Sequence, residues 1–183
     1  MEEHMGLLDK FKKKPEYNPI VEIAHIVSQG DSAVLTQAAL CSADIKKFFF
    51  ENISSYEERG IDSTTGENTL KWIGLVDILI NANYLCERDW KDEKSDFIFF
   101  MQNLNTFKTL HLKIDEQQLD DSDDIPRWCE ILDTLWGQQG VCVAAFDIDS
   151  DSYVLFPCKT NDLPTLQQYA AQLGQRIDLA KNI

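Results

Sequence analysis

At 183 residues, with 44% hydrophobic and 26% charged side chains, the chain has the size and composition of one globular domain. No apolar run approaches the ~20 residues that a membrane-spanning helix needs. Its 31 acidic residues against 17 basic ones give a formal net charge of −14, which argues against nucleic acid as a partner, because phosphates attract Lys and Arg, and favours a basic protein instead.

Residues 1–17 are expected to form a flexible N-terminal segment ahead of a single domain over 18–183. Met5 opens a plausible natural start, MGLLDKFKKKP, in which Leu7, Leu8 and Phe11 beside lysines suit a short amphipathic turn. Lys10 stands where the myristoylation pattern after Gly6 wants Ser or Thr, so no lipid anchor is expected, and no secretory leader is seen. Asn18 before Pro19 is a helix start and Gly30 a stop, predicting a helix over 19–29 with Ile20, Ile23, Ala24 and Val27 inward and His25 just off that stripe. A short helix around 32–40 follows, then one from Ser42 that buries Ile45, Phe48, Phe49 and Ile53. After a polar loop at 60–66, a long helix carries Leu70, Trp72, Ile73, Leu75, Val76, Leu79 and Ile80.

The pattern then changes. Residues 84–89 read as a strand, Ser95 as the cap of a helix bearing Phe97, Ile98, Phe100, Leu104 and Phe107, and Thr109–Ile114 as a second strand with His111 outward. Asp115, Glu116, Asp120, Asp121, Asp123 and Asp124 make the most acidic stretch, a solvated loop with no basic residue in it. Asp124 or Ser122 suits the cap of a helix with Ile125, Trp128, Cys129, Leu132, Leu135 and Trp136. Val141 to Phe146 is apolar at every position, as a strand covered on both faces must be, and Tyr153–Phe156 repeats the pattern beyond an Asp-Ser turn. Pro164 opens a last helix, and Ile177 with Leu179 suggests a short strand. The fold class is α+β: a helical N-terminal half, then an antiparallel-rich sheet with a central hairpin, about 141–157, covered by helices.

Chemistry is sparsely signalled. Cys41, Cys86, Cys129, Cys142 and Cys158 contain no CxxC pair and read as reduced core thiols in a cytoplasm. Their spacing to His25 or His111 suggests no nucleophilic pair. Asp147, Asp149 and Asp151 resemble the first ligands of a calcium loop, but Ser152 stands at the sixth position, where Gly is needed, and Cys158 at the twelfth, where Glu is. No cofactor is therefore expected, and GxGxxG, GxxxxGK[ST], HExxH and GxSxG are absent.

The run from Trp72 to Leu79, YLCERDWKDE at 84–93 with its Asp89-Trp90-Lys91, Trp128, and DIDSDSYVLF at 147–156 together resemble an uncharacterised bacterial domain family, which implies no established activity. Being small, acidic and without a catalytic motif, the chain is also similar in style to toxin-neutralising immunity proteins. The expected function is therefore non-catalytic: covering a basic toxin domain, such as a nuclease, in the cytoplasm. The expected partner-binding residues are Asp115, Glu116, Asp120, Asp121, Asp123 and Asp124 with the turn acids Asp149 and Asp151. The alternative is a metal-dependent or hydrolytic enzyme that uses Asp147, Asp149 and Asp151.

Overall fold

In the computed structural model, which describes residues 18–183, the Asn18 side chain accepts the Ile20 amide at 3.1 Å and starts α1 (Pro19–Val27). The expectations for residues 1–17 lie outside the described residues. Asp31 accepts the amides of Ala33 and Val34 and opens α2 (Ser32–Ala43). Asp44 leaves helical geometry and caps the next helix through the Lys47 amide, so the helix expected from Ser42 begins as α3 (Ile45–Glu51). The chain breaks again at Asn52 before α4 (Ile53–Glu58), and that break shifts the helical phase. Ile53, expected in the core, is consequently 38% exposed.

The long helix α5 (Glu67–Asn81) runs through the middle of this half. Gly74 sits where α5 meets its neighbours most closely, beside Tyr56, Cys41 and Phe48. Arg59, just after α4, lies between Asp77 of α5 and Glu87, with its guanidinium 2.7 Å from a carboxylate oxygen of each.

The second half holds β1 (Cys86–Asp89), α6 (Lys94–Asn103), α7 (Asn105–Thr109), α8 (Ile125–Trp136), β2 (Val141–Phe146), β3 (Ser152–Lys159), α9 (Leu163–Gln172) and β4 (Ile177–Leu179). The four strands form one sheet in the order β1-β3-β2-β4, with every adjacent pair antiparallel. The predicted hairpin is its centre. Phe146 faces Val154 and Ala145 faces Leu155 in register.

Alternation along β2 and β3 sends successive side chains to opposite faces. Cys142, Ala144, Phe146, Val154, Phe156 and Cys158 join the core of α1, α2, α3, α5 and α9. Val141, Val143, Ala145 and Leu155 join a second core with Phe97 and Met101 of α6, Phe107 of α7 and Trp128, Cys129, Leu132 and Trp136 of α8. Helices thus cover both sides of the sheet, which is why β2 is buried at all six positions. β4 stops at Leu179, opposite Ala144, and the Val143 amide beyond it donates to Asp133 of α8 at 2.7 Å.

One expected strand is absent. Residues 110–114 follow α7 through a turn in which His111 has φ +53°. Leu112 is buried, and Leu110 and Ile114 pack against the second core. The alternation reported burial against a wall of side chains, not a ladder, because no strand lies alongside to accept pairing. Boundaries also move: β1 begins at Cys86, not Tyr84, α6 begins at Lys94, ahead of Ser95, α2 runs on to Ala43, and the helix expected to carry both Phe97 and Phe107 breaks at the extended Leu104 into α6 and α7.

Candidate functional site

Most of the acids in the 115–124 loop are occupied in building it. Asp115 accepts the Gln117 amide at 3.1 Å, Asp120 accepts both the amide (2.9 Å) and the hydroxyl (2.7 Å) of Ser122, and Asp124 caps α8 through the Arg127 amide at 3.0 Å. Asp121 pairs with Lys94 of α6 at 2.6 Å, so the stretch has a counter-charge that its own sequence does not contain. Lys94 also donates to the Leu119 carbonyl at 3.0 Å, and the Trp128 indole donates to that of Asp120 at 2.8 Å. Glu116 and Asp123 have no bond of this kind among the described residues.

The two bonds from Ser122 hold the Asp120 carboxyl below its ordinary value of 3.8. A lowered folded pKa means that its contribution to stability is present above about pH 3.8 and lost as pH falls through the folded value. Urea unfolding of the wild type and of Asp120→Ala at several pH values from neutral to 2 is therefore expected to show a stability difference that shrinks below about pH 3.8. A difference that stays constant to pH 2 would remove the charge of Asp120 from the account of this loop.

At the hairpin turn, Asp147 accepts the Asp149 amide at 3.0 Å and lies 3.9 Å from Arg176. Asp149 adopts φ +55°, a conformation that Asp tolerates better than most residues. Asp147 and Asp149 line one cleft of about 410 Å³ with Trp72 and Arg176. Asp151 lines another, of about 490 Å³, with Trp90, Ser150, Ser152, Tyr153 and Ile183. The three acids spaced by two are thus divided between two sides of the turn. Among the described residues, no three His, Cys, Asp or Glu side chains are grouped to hold a metal ion.

The cleft holding Asp151 unites two segments singled out in the sequence. Asp89 folds its tripeptide back by accepting the Lys91 amide at 2.9 Å, and the register Arg88↔Tyr153, Asp89↔Ser152 sets Trp90 beside the turn. Trp90 is 53% exposed, with the Lys91 ammonium 4.7 Å from its ring centre. Tyr153 is half-buried, and burial first, then the Asp124 carboxylate, raise the pKa of its phenol.

A second constellation escaped the sequence reading. His25, Cys158, Lys159, Asp162 and Thr106 line a cleft of about 380 Å³ between α1, α9 and the end of β3. Cys158 is no activated nucleophile: its hydrogen bond with the Cys142 thiol, and then burial, push its pKa upward. Burial likewise takes the thiols of Cys41 and Cys86 to about 12. All five cysteines are free and buried, as core thiols should be.

The fold and the site define a layered α+β protein with a surface cleft that sets the aromatic residues Trp90 and Tyr153 beside one acid, Asp151. No helix among the described residues is long and apolar enough to cross a membrane. The chain belongs to the family described as a domain of unknown function, DUF6630, whose model matches residues 19–180. No curated protein and no solved structure matches it.

Proposed function

We propose that the protein is a non-catalytic binding protein of the bacterial cytoplasm that neutralises a basic toxin domain, an immunity protein of the kind that covers a nuclease's electropositive site. The supporting observation is that Asp151, one of the turn acids, lines a cleft with the half-exposed Trp90 and with Tyr153, in a chain whose formal net charge is −14. A site built to grip polyanionic nucleic acid is itself cationic, and an acidic surface covers it with fast, steered association. The acids that the fold leaves free, Glu116, Asp123, Asp149 and Asp151, supply the long-range field together with the capping ones.

The test uses the protein encoded by the adjacent gene, made as an inactive domain, with association rates measured across salt concentrations. Steering should weaken as the Debye length falls from ~10 Å at 0.1 M to ~3 Å at 1 M. Changing Asp120, Asp121, Asp123 and Asp124 together to Asn keeps capping competence at Asp120 and Asp124, since Asn caps about as well as Asp. The variant is expected to associate more slowly at low salt and to show a flatter salt slope, with little change in dissociation. Identical rates and slopes would make this loop a solvated connection, and an adjacent product that does not bind at all would end the immunity reading.

A further inference from the structure

Three of the four tryptophans are accounted for by the fold. Trp72, Trp128 and Trp136 are each 1% exposed, and each indole donates at 2.8 Å to a backbone carbonyl, of Asp147, Asp120 and Lys113 respectively. Trp90 is the exception. It stands 53% exposed at a cleft of about 490 Å³ whose other lining residues are Tyr153, Asp151, Ser150, Ser152 and Ile183.

An exposed indole beside an exposed carboxylate is a poor arrangement for packing but a good one for a cation. The ring face attracts positive charge, and the acid supplies a hydrogen-bonding counter-ion. The chain displays the first half of that chemistry itself, because its own Lys91 ammonium lies over Trp90. It also shows that a guanidinium can take such a seat: Arg88 lies 3.7 Å over the Phe100 ring while pairing with Asp92. Asp151 is exposed and has no bond of this kind among the described residues, so it is available to a guest.

We propose that the Trp90–Tyr153–Asp151 cleft is an arginine-binding site, in which a guanidinium from a basic protein partner lies against the Trp90 ring and pairs with the Asp151 carboxylate. Arginine is favoured over lysine because its planar, weakly hydrated head stacks on a ring and offers paired donors to one carboxylate, whereas an ammonium is a strongly hydrated point charge. Lys91 is exposed, and it yields the ring to the guest. That the guest belongs to a protein partner rests on the proposed function, but recognition of arginine by the cleft does not.

The experiment is a titration of ¹⁵N-labelled protein with acetyl-arginine methylamide, followed at the indole N–H resonances. The lysine analogue and the neutral, nearly isosteric citrulline analogue are run alongside. Arginine is expected to move the Trp90 indole signal saturably while the three bonded indoles stay still, which also certifies the fold. Lysine should bind about 3–5-fold more weakly and citrulline should leave the signal in place. Asp151→Asn should weaken arginine by about 3–5-fold, and Lys91→Met, which clears the ring, should tighten it. Equal shifts by citrulline and arginine, or an Asp151→Asn variant that binds like the wild type, would overturn the assignment. The two proposals fail separately. Arginine binding without any encoded partner would sink the immunity reading alone, and a partner whose affinity ignores Trp90→Leu would sink the cleft alone.

Discussion

Phe146→Ala is expected to lower the unfolding free energy by about 3–5 kcal/mol, the range for truncating a buried aromatic ring. The ring is fully buried at the end of β2, 4.9 Å from Trp72 of α5 and 5.5 Å from Phe156 of β3 between ring centres. It therefore joins the sheet to the central helix, and a cavity there has rigid walls that relax only in part. Against a total stability of about 5–15 kcal/mol for a domain, such a loss leaves little margin. Urea unfolding followed by circular dichroism measures it, with Phe146→Leu as the milder companion expected to cost about 1.5 kcal/mol or less if repacking succeeds. A loss under about 1 kcal/mol for the alanine variant would mean that the ring does not hold the two layers together.

Gly74→Ala should destabilise the protein even though alanine is the better helix former by about 1 kcal/mol. A methyl group at that position would stand 2.6 Å from the Tyr56 hydroxyl oxygen, 2.8 Å from the Cys41 sulfur and 3.2 Å from the Phe48 ring. All three neighbours are buried, and the Tyr56 hydroxyl is held by its 2.8 Å bond to the Leu70 carbonyl. Overpacking of this kind costs about 1–3 kcal/mol after partial relaxation. Removing the obstructing oxygen with Tyr56→Phe should relieve part of it, so the double variant is expected to lose less than the two single losses added together. Strict additivity in thermal or urea unfolding would place the strain elsewhere.

The hairpin was legible because burial on both faces leaves no polar position in a strand, and the shortness of the two apolar runs with an Asp-Ser turn between them favoured strands over a buried helix. The α+β class and the helices around Pro19, Trp72, Trp128 and Pro164 were legible through stripes and caps that are local properties. The segment 110–114 was misread because alternation reports burial on one side and says nothing of whether a neighbouring strand exists to pair with. The acidic loop could be found but not interpreted: its counter-ion, Lys94, lies more than 20 residues upstream, and its carboxylates serve as caps that only backbone geometry reveals. The cleft was legible as two separate segments, the Asp-Trp-Lys run and the Ser-Asp-Ser-Tyr turn. That they adjoin follows from the β1–β3 register, a long-range fact that neither segment encodes alone.

The division of the sheet's faces also governs how the chain can be made. Helices α1 to α5 close their core on Phe146, Val154 and Phe156, which leave the ribosome well after the last residue of α5. At about 5–20 residues per second the interval between Asn81 and Lys159 takes roughly 4–16 s. During it Trp72, Leu75 and Leu79 have helices to pack against but no sheet beneath them. Until the hairpin is made, the first half therefore carries apolar side chains that the sheet will later cover, the kind of transiently exposed surface that makes a folding chain prone to aggregate.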